Sequence, residues 1–214
     1  QNLWRKGRKR MQETNKYTVF NIREYLNGQN GELGEDELFQ ILSEFSCEKN
    51  KDVERFAKNQ SVEFAKKQQS VTYLVFSTED AELVGYFAIT IKPITVNAEP
   101  FSNTVRKKLA RVSELNELNH TYNLAAYLIA QLGKNYHNGA NERITGEELL
   151  GLAMKQIKQL QYLAGGMVVF LETSNEEKLL SFYQAMGFQK FDSRLSERAG
   201  YEPHELVQLL KIIK

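Results

Sequence analysis

Arg143, Thr145 and Gly146 stand where the chain is best arranged to hold an anion. They follow an apolar run, Tyr127-Leu128-Ile129-Ala130-Gln131-Leu132, and a polar loop with Gly133 and Gly139; Glu147, Glu148 and a helical pattern come next. The order is strand, loop, fresh helix N-terminus. Such a terminus leaves backbone N–H groups without intrahelical partners and carries about half a positive charge. A loop bent across it is a cradle for phosphate oxygens. Residues 141 to 146 are the candidates, with Asn141, Ile144, Thr145 and Gly146 offering backbone amides and Arg143 a fixed cation. The same residues also read as a capping box, in which Thr145 and Glu148 satisfy each other and no ligand is involved.

The elements needed to position these residues are legible in the hydrophobic pattern. Residues 17 to 22 (YTVFNI), 71 to 77 (VTYLVFS) and 83 to 96 (LVGYFAITIKPITV) are rich in β-branched and aromatic side chains and are expected as strands. The connection between the last two has hairpin length, which predicts antiparallel pairing. Pro93 removes a ladder hydrogen bond, so a bend or an edge position is expected there. Residues 35 to 45 align Leu38, Ile41, Leu42 and Phe45; residues 51 to 69 align Val53, Phe56, Ala57, Val62, Phe64 and Ala65. Both segments are expected as amphipathic helices.

Residues 102 to 115 are expected as a short helix carrying Arg106, Lys107, Lys108 and Arg111, the most basic patch of the body. It reads as a solvated face or as a contact for phosphate, placed to lean over the cleft beside the cradle strand. Residues 146 to 163 repeat Leu149, Leu150, Ala153, Met154, Ile157, Leu160 and Leu163 at helical spacing and end at Gly165-Gly166. A strand over 167 to 172, a helix over 176 to 186 and closing strands over 188 to 195 and 204 to 213 complete the chain, with a helix as the alternative for the last.

The order strand, R-x-x-G helix, strand, helix ending Phe182-Tyr183-x-x-x-Gly187-Phe188 resembles the GNAT acyltransferase superfamily over about residues 71 to 192. The resemblance implies an α/β (α+β) fold of GNAT acyl-CoA N-acyltransferase type, with a mixed, mostly antiparallel sheet flanked by helices. It implies an acetyl-CoA-dependent N-acetyltransferase that uses no metal and transfers the acyl group directly to an amine in a ternary complex. Residues 141 to 146 then hold the pyrophosphate. Ile129, Ala130, Gln131 and Leu132 hold the pantetheine arm and face the thioester carbonyl through main-chain atoms. Tyr183 becomes the acid that protonates the departing sulfur, since a phenol with pKa near ~10 is a proton donor at neutral pH. Glu172 is a candidate base, with Glu82, His120 and His137 further out.

Two departures stand out. The family's first motif runs Q/R-x-x-G-x-G/A, and here Glu148 holds the place of the small residue. Asn175 lies one residue early for the asparagine that often precedes the last helix. A non-catalytic GNAT-like module that binds CoA or a partner is the alternative these departures leave open. A narrower likeness, through Phe45-Ser46-Cys47, Asn50, Asp52-Val53 and Phe56, and Thr72-Tyr73-Leu74-Val75, is to the GNAT toxins of bacterial toxin–antitoxin pairs, which acetylate the amine of aminoacyl-tRNA. The amine acceptor is therefore a small molecule, a protein or a charged tRNA. A homodimer is common in the superfamily.

Composition bounds these readings. The 214 residues carry 28 basic and 27 acidic side chains, for a net charge of +1. Residues 1 to 10 hold five of the basic residues and no acid, leaving 23 against 27, or −4, in the remainder. The opening is either a nucleic-acid-gripping arm or an extension ahead of Met11. A single GNAT-like domain is expected over 11 to 214. Lone Cys47 excludes an internal disulfide and reads as a small buried hydrophobe. With no long apolar run and no secretory pattern, a cytoplasmic protein without membrane contact is expected.

Overall fold

The computed structural model describes residues 16–26, 34–196 and 203–214. The basic opening over 1–10, the turn-rich stretch 27–31 and residues 197–200 lie outside them.

One sheet organises the chain. Strands β1 (Tyr17–Asn21), β2 (Val71–Ser77), β3 (Leu83–Asn97), β5 (Thr121–Lys134), β6 (Val168–Ser174), β8 (His204–Ile212) and β7 (Gln189–Ser196) lie in that spatial order, and the two-residue β4 (Leu115–Asn116) pairs with β5. All neighbours are antiparallel except β5 and β6. The helices are α1 (Ile22–Leu26), α2 (Glu35–Ser43), α3 (Lys51–Asn59), α4 (Ser61–Lys66), α5 (Asn103–Leu109), α6 (Gly146–Ala164) and α7 (Glu177–Ala185). A 3-10 segment, His137–Arg143, links β5 to α6.

Strand alternation sends side chains to two faces, and each face is covered by the helices whose apolar stripes match it. On one face Phe87, Ile89, Tyr127, Ile129, Val169, Leu171 and Leu209 pack against Leu149, Leu150, Ala153 and Ile157 of α6, with Leu180, Phe182 and Tyr183 of α7 at the margin. On the other, Leu74, Tyr86 and Ala88 lie under α1 to α4. Val96, Leu124, Ala126, Phe170 and Leu210 lie under Phe101 and Leu109 of the α5 region. No described helix is long and apolar enough to cross a membrane.

Four expectations change. The helix over 51 to 69 is two helices, broken at Gln60, which serves as the C-cap of α3 and the N-cap of α4. The helix over 102 to 115 stops at Leu109, and Leu115 joins β4 opposite Tyr122. Strand β5 begins six residues before the apolar run, because Thr121 to Ala126 bury Tyr122, Leu124 and Ala126 while exposing Asn123 and Ala125. The basic α5 region packs on the face opposite α6, and Arg106 spends its guanidinium on the carbonyls of Phe101 (2.9 Å) and Glu99 (3.2 Å). It is a clasp for the 97–101 loop rather than a cover for the cradle. Pro93 does sit at an edge, since β2 pairs with β3 only up to Ile89, and the rest of β3 has β5 alone.

Candidate active site

The site begins where β5 and β6 part. Their parallel pairing spans only Tyr127–Val169, Leu128–Phe170 and Ile129–Leu171, yet β5 runs on to Lys134 and β6 to Ser174. From Ala130 onward the β6-facing edge of β5 has no strand partner among the described residues. At the same point the register with β3 jumps from Ala88–Gln131 to Ile89–Ile129, so Ala130 is the extra residue of a β-bulge. Bulges sharpen the local twist and turn the strand away from its neighbour. The outcome is a wedge between strands whose unpaired backbone groups can take an extended ligand, in the way an added strand would.

The far end of β5 is pinned. Asn135, 2% exposed, accepts from the backbone N–H of Ser46 (2.9 Å) and of His137 (3.1 Å) and donates to the carbonyl of Leu83 (2.8 Å). The chain then turns through Asn138 and Gly139, both at positive φ, and reaches α6. Thr145 and Glu148 form the reciprocal capping box: Glu148 Oε2 accepts from Thr145 N–H at 2.8 Å, and Thr145 Oγ1 from Glu148 N–H at 3.1 Å. The amides of Gly146 and Glu147 remain without intrahelical partners, at the positive end of a 19-residue helix.

The flanks of this helix mouth differ. Glu148 is held on one side by Lys16, whose Nζ stands 2.8 Å from Oε1. Hydrogen bonds from Lys16 and from the Thr145 amide bring the Glu148 carboxyl down to about 2, and the same contact raises Lys16. Beside it the hydroxyl of Tyr17 donates to the carbonyl of Arg143 (2.7 Å), and Arg143 Nε meets Asp80 Oδ2 at 2.7 Å. A hollow of about 680 Å³ lies on this side, lined by Lys16, Tyr17, Thr78 and Arg143. Gly146 faces the opposite way: residues two apart on a helix differ by about 200° in direction, and a β-carbon on Gly146 would stand 3.4 Å from Phe182 Cζ. The wedge side of the mouth is therefore not filled by Glu148.

Tyr183, the next residue of α7, is partly buried between Phe182 (ring centroids 5.0 Å) and Phe188 (5.9 Å). Its hydroxyl makes no hydrogen bond among the described residues. Burial pushes the phenol up to about 12, so it stays a proton donor across the physiological range.

The structure thus packs Leu132 of β5 and the α7 aromatics Phe182 and Tyr183 against one core with α6, and brings Phe182 to Gly146. It removes others. Arg143 is a strut salt-bridged to Asp80 rather than a free cation at the cradle. Glu172 projects to the face opposite α6, one residue past Leu171, and its carboxylate accepts two bonds from Arg194 (2.7 and 2.6 Å) and one from Gln208 (2.7 Å). Those donors hold it ionised and below the ordinary carboxylate range, which makes it a poor base. His120 lies in the turn before β5, and His137 opens the 3-10 segment. Among the described residues no three His, Cys, Asp or Glu side chains gather to hold a metal ion. Sequence reasoning did not foresee Lys16, Tyr17, Asp80 or Asn135. Only Asn135, a lone amide closing an apolar strand, left a trace to follow.

Sheet order, wedge and helix placement give the chain a GNAT-type fold. Solved structures of the same architecture include a tyrosine-to-phenylalanine mutant of KacT (TM-score 0.57, 15% identity, 90% of this chain and 95% of that one). Another is AtaT complexed with acetyl-methionyl-tRNAfMet (0.56, 14%, 89% and 93%), AtaT being a toxin. A third is AtaTR bound with AcCoA (0.54, 14%, 92% and 93%). At these identities the likeness is one of fold. No protein-family model and no curated protein matches the sequence.

Proposed function

We propose that the protein is an acetyl-CoA-dependent N-acetyltransferase whose acceptor is the amine of an aminoacyl-tRNA. The observation that carries the first part is the unpaired edge of β5 past Ile129, leading into a helix mouth with two open amides. The acceptor rests on the fold shared with AtaT, one structure of which holds acetyl-methionyl-tRNAfMet.

Acetyl-CoA, when bound, supplies an acyl group activated as a thioester. In this reading the backbone of β5 past its last pairing with β6 at Ile129, over Ala130, Gln131 and Leu132, pairs with the pantetheine amides. The amides of Gly146 and its neighbours in 141 to 146, Asn141, Arg143, Ile144 and Thr145, receive the pyrophosphate at the positive helix end. A bulge N–H near Ala130 faces the thioester carbonyl, where negative charge develops as the amine attacks. Tyr183 gives its hydroxyl proton to the sulfur as the carbon–sulfur bond breaks. The proton lost by the amine leaves through water.

The test is transfer of labelled acetyl from acetyl-CoA to a pool of charged tRNA, with the uncharged pool as control. Label in the charged pool alone supports the reading. Label in neither, with acetyl-CoA bound, moves the acceptor to a small or protein amine.

A further inference from the structure

Tyr183 is steered by no hydrogen bond among the described residues, so its direction is set by packing. Phe182 meets it edge-on at 65°, and Phe188 at 72° from the other side. Gly187, at φ 84°, turns the chain so that Phe188 N–H returns to the carbonyl of Tyr183 at 3.0 Å. Lys211 backs this turn, with Nζ 5.6 Å over the Phe188 ring and donating to the carbonyl of Met186 at 2.6 Å. Successive helix residues point about 100° apart, and Phe182 accordingly touches a different partner, the first turn of α6: its Cζ and Cε2 lie 3.4 and 3.6 Å from where a Gly146 β-carbon would be. A single ring thus contacts both the phenol and the helix mouth.

We propose that Phe182 is a positioning residue, a rigid spacer that fixes the distance between the Tyr183 hydroxyl and the open amides of α6. This rests on the acetyltransferase reading. A bound thioester spans the two groups, its phosphates on α6 and its sulfur beside the phenol, and misplacement by an ångström at such a site costs rate far more than affinity. Leucine at this position fills most of the space but offers neither ring edge, whereas tyrosine keeps the ring.

The experiment uses the full chain with Phe182→Leu and Phe182→Tyr. Three readouts are taken: calorimetry with acetyl-CoA, acetyl transfer to charged tRNA, and phenolate absorbance titrated against matched Tyr183→Phe controls. Expected is a fall in kcat of about tenfold or more for Phe182→Leu, an acetyl-CoA Kd within about threefold, and a Tyr183 phenol that ionises at lower pH than in the wild type, as its burial is relieved. Phe182→Tyr, which keeps the ring edge against Tyr183 but adds a hydroxyl at the Gly146 contact, is expected to lose less rate than Phe182→Leu. Wild-type kcat and phenol titration in Phe182→Leu would overturn the proposal, as would a loss confined to acetyl-CoA affinity. Failure of the wild-type chain to bind acetyl-CoA brings down the acetyltransferase reading itself, a result distinct from either of these.

Discussion

Gly146 and Phe182 meet across the gap between α6 and α7, with 3.4 Å between the Gly146 β-carbon position and Phe182 Cζ. The contact lies on the flank of the helix mouth away from Lys16 and Glu148, on the side of the β5–β6 wedge.

Gly146→Ala is expected to leave folding intact, because the residue has an ordinary helical φ and the added methyl reaches only a tight contact. In the acetyltransferase reading the methyl, wedged between the first turn of α6 and the Phe182 ring, crowds the phosphate held at the Gly146 amide. Acetyl-CoA affinity should drop about tenfold while the thermal midpoint holds within about 2 °C, measured by calorimetry and thermal denaturation.

Tyr183→Phe removes a hydroxyl that has no hydrogen-bond partner among the described residues, so little stability should be lost. The rate of acetyl transfer should fall about 100-fold, the usual range for a general acid. Because burial raises the phenol to about 12, its protonated form persists at every lower pH. Tyr183 should therefore contribute no alkaline loss of rate between pH 7 and 10, which a pH–rate profile checks.

The α6 mouth shows how far the sequence could be followed. Thr145 and Glu148 were legible as a capping box and Gly146 as its first helical residue, because capping depends on neighbours three apart. The strand pattern and the α7 aromatics were equally local and equally readable. The ion pair of Arg143 was not legible because its partner, Asp80, lies on the β2–β3 hairpin, and nothing near Arg143 in sequence announces that carboxylate. Glu172 misled for the same reason, its Arg194 arriving from another strand. The wedge itself was inferred only through family likeness, since a strand's departure from its neighbour leaves no mark in either strand's own residues.

Glu148 titrates from an ordinary value of 4.5 to about 2 when folded, so its contribution to stability is present above 4.5 and is lost as pH falls toward 2. Glu148→Gln keeps the capping geometry and removes the charge. The difference in urea midpoint between wild type and variant should be constant above pH 5 and shrink between about 4.5 and 2.

Asn135→Ala would strand the half-buried N–H of Ser46 and the buried carbonyl of Leu83. A loss of about 3 kcal/mol in urea denaturation is expected. Loosening the end of β5 should also slow acetyl transfer in the fraction that remains folded at 20 °C.

The most direct test of the account is calorimetric titration of the full chain with acetyl-CoA. One molecule bound per chain with micromolar affinity, weakened about tenfold by Gly146→Ala, is the expected result. Absence of binding at millimolar acetyl-CoA would contradict it.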